Sequence, residues 1–134
     1  MRQILKAGLV GAAVSGVPST VVTLARGESL LDGARAAGAI VLPREQRTAV
    51  LLAAAVPVHL GLSVGWAFAL AALPRRGLAA GVAAGLVIAA LDLGVIGRRI
   101  PAIRALPQGR QWADHVAYGL SVGWMLAQSP PGAA

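Results

Sequence analysis

Five side chains have the types and positions to do chemistry: His59, Asp92, Asp114, His115 and Tyr118. Two imidazoles and two carboxylates suffice to bind a divalent cation or to relay protons, because histidine titrates near neutral pH. Neither use finds its spacing. No pair sits at a recognised metal-ligand interval, and Asp114 and His115 are adjacent, so their side chains diverge on a helix. His59 and Ser63 fall one turn apart without a carboxylate to complete a triad, and a Gly-rich phosphate loop is missing from the sequence. Cysteine is absent, which excludes disulfides, thiolate metal sites and a Cys nucleophile. The sequence thus points to no catalytic residue, no metal and no cofactor. The simplest role for Asp92 and Asp114 is to pair with Arg or His and lock helices together, since buried charges must be paired.

The elements that must position these residues are membrane helices. In 134 residues, hydrophobic types make up 57% and charged types only 13%, against about 25% charged in a soluble domain. A domain this small cannot bury so much apolar surface in water, and disordered chains are polar rather than apolar. The net charge of +7, with only three Trp, one Tyr and one Phe to stack on bases, reads as flanking charge of membrane helices rather than a nucleic-acid footprint.

A span needs about 20 mostly apolar residues. Four stretches qualify, at about 4–25, 49–73, 77–97 and 112–128, the last stopped by Ser129-Pro130-Pro131-Gly132. The first is too rich in Gly, Ser and Thr to read as a cleaved leader. Residues 28–42 predict a short amphipathic helix lying in the interface, with Leu30, Leu31, Ala34, Ala37 and Val41 on its apolar face and Asp32 and Arg35 as an i,i+3 pair. Residues 98–111, with Arg98, Arg99, Arg104, Arg110 and two prolines, predict a basic irregular loop near anionic lipid headgroups. Arg26, Arg35, Arg44 and Arg47 join these at the long loops, whereas Arg2, Lys6, Arg75 and Arg76 fall on the other side. This bias puts the long loops in the cytoplasm of a multi-pass plasma-membrane protein.

The fold class expected is all-α: a single-domain four-helix membrane bundle built from two repeated hairpins plus the interfacial helix. The repeat rests on GLSVGW, at Gly61–Trp66 and again at Gly119–Trp124, and on AGLV, at Ala7–Val10 and Ala84–Val87. Small residues four apart predict close helix packing in lipid: Gly8/Ala12/Gly16, Gly61/Gly65, Gly77/Gly81/Gly85 and Gly119/Gly123. One such stripe could equally receive a second copy of the chain or another membrane protein. Asp92 follows the glycine stripe of its span and should point into the bundle, and His59 lies about 15 Å inside its own. With Ser15, Ser19, Thr20 and Thr23, the polar residues gather in the half facing the basic loops, which predicts a polar pocket open to that side.

SGVPSTVVTL, ARAAGAIVLP, LDLGVIGRRIPAIRALP and ADHVAYG together resemble a set of small actinobacterial polytopic membrane proteins with no established activity. His115, Tyr118 and Gly119 loosely resemble an element of the YagU-like inner-membrane proteins. These resemblances imply a polytopic membrane fold and supply no catalytic residues. The function expected is that of a non-enzymatic accessory or stress-related membrane component. The alternatives are an ion- or proton-coupled transporter or channel-like oligomer using the polar pocket, and a lipid-modifying enzyme.

Overall fold

The computed structural model describes residues 1–128, and the expected stop at Ser129–Gly132 lies outside them. All regular structure among the described residues is helical: α1 (Arg2–Ser15), α2 (Val17–Ala25), α3 (Leu31–Ala39), α4 (Thr48–Ala71), α5 (Leu78–Leu91), α6 (Pro101–Arg104) and α7 (Gln108–Ala127). Three helical segments are long and apolar enough to cross a membrane: Arg2–Ala25, Thr48–Ala71 and Leu78–Arg99. α7 has the length but not the composition, because Arg110, Gln111, Asp114 and His115 crowd its first half.

The interior sets small residues beside large ones, with Ile4, Leu70, Ile88, Tyr118 and Leu126 buried among alanines. Ala7, Ala67 and Ala89 are fully buried, and Val122 is the largest side chain so enclosed, while Leu9, Val21, Leu24, Val56 and Val87 face outward. The outward-facing apolar side chains suit a lipid surround, in which small residues let helix backbones approach closely. The α5–α7 seam carries it furthest. A Cβ on Gly85 would stand 2.5 Å from the His115 carbonyl oxygen, and one on Gly123 would stand 2.7 Å from the Gly77 carbonyl oxygen. Cβ atoms on Gly81 and Gly119 would overlap each other's backbone oxygens. Gly77 starts α5 at φ +117°, a backbone state that a side chain would strain. α1 packs on α4 through Gly8, against Val64 and Ala67, and on α7 through Gly11, against Tyr118 and Val122.

Several expectations need correction. Gly61 and Gly65 meet nothing: a Cβ at either would stand in open space. α4 instead approaches α1 through Val64 and Ala67, which point in a different direction around the helix. The two copies of GLSVGW therefore occupy different environments. The first span is broken at Gly16, where Pro18 lacks an N–H and its ring crowds the preceding turn. The third runs from α5 into a π turn over Asp92–Ile96 and a 3-10 turn over Gly97–Arg99. The supposed irregular loop is thus largely helical, with Pro101 opening α6 at a position where a missing N–H costs nothing. The helix expected over 28–42 is the shorter α3, and it buries its small side, Ala36, Gly38 and Ala39, with Gly38 against the Leu51 backbone. Its large apolar residues Leu30, Leu31 and Val41 face outward.

Candidate functional site

The π turn places Asp92 at a junction of three elements. Its Oδ2 accepts a hydrogen bond from Trp66 Nε1 of α4 at 3.1 Å and lies 3.5 Å from His115 Nε2 of α7. His115 Nδ1 lies 2.7 Å from the Gln111 carbonyl oxygen, which can only accept, so Nδ1 carries a hydrogen. A neutral His115 then turns a lone pair toward Asp92. The contact is attractive only when the pair holds one shared proton, as imidazolium–carboxylate or as imidazole–carboxylic acid.

Asp114, one residue earlier on α7, points elsewhere. Its Oδ1 accepts from the Ser19 backbone N–H at 2.8 Å. Ser19 lies in the first turn of α2, whose amides have no intrahelical partner. Breaking the helix at Gly16 frees this donor, and a carboxylate from another helix satisfies it, which also suits the helix dipole. His59 Nε2 lies 2.9 Å from the Ala12 carbonyl oxygen of α1, although His59 itself is exposed. Tyr118 donates its hydroxyl to the Ser63 backbone oxygen of α4 and is almost wholly buried. Asp92 and His115 are therefore brought together, whereas Asp114, His59 and Tyr118 are engaged one by one. No group of three or more His, Asp or Glu among the described residues is arranged to hold a metal ion.

A cavity of about 910 Å³ opens at the end of the molecule carrying the long basic segments. The expected pocket residues do not line it. Each of the five turns sideways onto a neighbouring helix, and the space lies beyond them, among α2, α3, α6 and the start of α7. Ser19, Thr20 and Thr23 contribute hydroxyls, Asp32 and Arg35 charges, and Ile100, Ala102 and Leu106 an apolar wall. Arg110 spans its rim, donating from Nη2 to Glu28 Oε1 at 3.1 Å and from Nη1 to Thr23 Oγ1 at 3.2 Å. The Arg110 guanidinium holds the Glu28 carboxyl below its ordinary range. Glu45 is held lower still, at about 2, by the Arg47 side chain and by the Arg47 and Gln46 backbone N–H groups.

The partner that motif reading misses is Trp66. An indole N–H inside a span needs an acceptor, and that need is the one signal that could have linked Trp66 to Asp92. Comparison of the chain with protein-family models, curated proteins and solved structures returned no match.

Proposed function

We propose that this chain is a non-enzymatic accessory protein of the plasma membrane, crossing it four times, with α7 as the fourth span and both long basic segments in the cytoplasm. The observation that carries the reading is the fate of its intramembrane polar groups. Asp92, Asp114, His59, His115 and Tyr118 each make a polar contact to another helix, and none lines the cavity. A catalytic or transporting group has to meet its substrate, whereas these groups fasten helices to one another. An uncompensated carboxylate in a span costs about 2.5–3.5 kcal/mol on insertion scales, so a carboxylate with partners on two helices ties the bundle to one arrangement. The Arg/Lys bias supports the orientation, and Arg26 at the end of α2, Arg98 and Arg99 in the 3-10 turn and Arg104 at the end of α6 suit anionic headgroups.

A second reading, a small ion-coupled transporter, has one observation in its favour. Both α1–α2 and α5 are interrupted beside the polar residues, and broken helices mark the binding sites of many transporters. Reconstitution separates the two. In proteoliposomes under an imposed pH gradient, the wild type and Asp92→Asn should show the same leak as empty vesicles, and Asp92→Asn should melt at a lower temperature. A wild-type flux abolished by Asp92→Asn at unchanged thermal midpoint would replace the accessory reading with the transporter.

A further inference from the structure

We propose that the cavity at the basic end binds the headgroup of a lipid bearing both a phosphate and a primary ammonium, a phosphatidylethanolamine. The proposal rests on the reading of these helices as membrane spans, not on the structural role given to Asp92.

Depth comes first. Ser19 and Thr23 lie in the last turns of the Arg2–Ala25 segment and Leu51 in the first turn of α4, and all three line the cavity. The space therefore sits where two spans leave the hydrocarbon, at headgroup level. Its lining is mixed, with Ile100, Ala102 and Leu106 beside hydroxyls and charges, as an amphiphile requires. Its volume of about 910 Å³ lies within the roughly 300–1,000 Å³ of small-molecule sites.

Charge then narrows the headgroup. Glu28 is committed to Arg110, and Glu45 to Arg47. Asp32 and Arg35 remain. They are neighbours three apart on α3, yet they form no ion pair with each other or with any other described residue. A guanidinium binds phosphate through paired N–H donors, and a carboxylate accepts from an ammonium. Side by side, the two present a zwitterion with a site for each of its ends. With Glu28 neutralised by Arg110 and Glu45 by Arg47, the free charges of the lining are one of each sign, Asp32 and Arg35, which suits a zwitterion better than a purely anionic lipid. The lining holds no Trp, Tyr or Phe, the residues that cage a quaternary ammonium, which disfavours choline. A primary ammonium, with N–H groups to give Asp32, is what remains.

The experiment is a native mass-spectrometric titration of the delipidated full chain in detergent with dioleoyl phosphatidylethanolamine, phosphatidylcholine, phosphatidylglycerol and water-soluble phosphoethanolamine. Phosphatidylethanolamine should bind most tightly. Asp32→Asn and Arg35→Gln should each weaken it about tenfold, the scale of one charged hydrogen bond. Both positions are exposed, so the thermal midpoint without lipid should not move. Asp32→Asn should leave phosphatidylcholine binding unchanged. Equal affinity for ethanolamine and choline lipids, tightest binding of phosphatidylglycerol, or indifference to both substitutions would overturn the proposal. Soluble phosphoethanolamine binding as tightly as the lipid would overturn its lipid part. Failure of the membrane reading would appear separately, as wild-type protein that stays in solution without detergent.

Discussion

The hexapeptide GLSVGW occurs in α4 and in α7, and the two copies do opposite things. In α7, Gly119 and Gly123 lie against the backbone of α5 so closely that no Cβ fits. In α4, Gly61 and Gly65 face open space. The tryptophans are reversed. Trp66 turns inward and donates to Asp92, whereas Trp124 is 55% exposed. Ser63 is buried and its carbonyl receives Tyr118, while Ser121 folds back onto the Tyr118 carbonyl at 2.8 Å. One sequence thus serves a tight glycine contact in one helix and a polar contact in the other. A small-residue stripe permits close approach; the helix that happens to face it decides whether the approach is made. α7 lies between α1 and α5, so much of its circumference is used. α4 leans on α1 and α3 and barely meets α5.

The sharpest way to break this comparison is bulk. Gly119→Leu should destabilise the detergent-solubilised protein by about 3 kcal/mol, the upper part of the overpacking range, because backbone atoms opposite it cannot give way. Gly61→Leu should stay within about 0.5 kcal/mol, as a change on an open face does. Equal thermal midpoints for the two variants would remove the distinction between the copies.

The tryptophans give a smaller effect with the opposite assignment. Trp66→Phe should cost about 1 kcal/mol, near the upper part of the range measured for polar contacts between membrane helices. Trp124→Phe should cost next to nothing. Denaturant unfolding of the two variants side by side checks the order, and a larger loss at Trp124 would reverse it.

The smallest effect separates the bundle from its basic end. Glu45 has its folded pKa lowered to about 2 from an ordinary 4.5, and Glu28 is lowered in the same direction. A lowered folded pKa contributes stability that is present above the ordinary value and is lost as pH falls toward the folded one. Glu28 is exposed, and Glu45, though partly covered, pairs with an exposed Arg47, so the contribution is small and screened by salt. Hydrogen exchange at α3 and the 43–48 segment should therefore quicken as pH drops from about 4.5 to 2, once corrected for the intrinsic pH dependence of exchange. The α5–α7 glycine seam should not respond. Neutralisation by Glu45→Gln should remove most of the pH response at 43–48.

Hydropathy makes the three apolar spans readable, and spacing makes the α5–α7 stripe readable, because glycines four apart stay on one face of any helix. Rotation about the helix axis is not readable that way, so Gly61 and Gly65 look identical to Gly119 and Gly123 until a neighbour is placed. The face of α3 misleads for a related reason. Leu30, Leu31 and Val41 mark the side that prefers apolar surroundings, yet that side faces outward while Ala36, Gly38 and Ala39 are buried. The break at Gly16 is not legible from Pro18 alone, since Pro57 sits inside α4 without interrupting it. The π turn that aims Asp92 at Trp66 and His115 is not legible either, since nothing in LDLGVIG distinguishes it from a continuing helix. The cavity depends on where α3 and α6 settle against the bundle ends, which no local pattern encodes.

The central claim is that the intramembrane polar residues hold helices together. A double-mutant cycle on Asp92→Asn and His115→Gln, read as unfolding free energy in a single detergent, tests it most directly. The structure predicts that each single variant is destabilised and that the two are coupled by roughly 0.6–1.7 kcal/mol, the span found for interhelical hydrogen bonds. Strictly additive losses, or single variants as stable as the wild type, would contradict it.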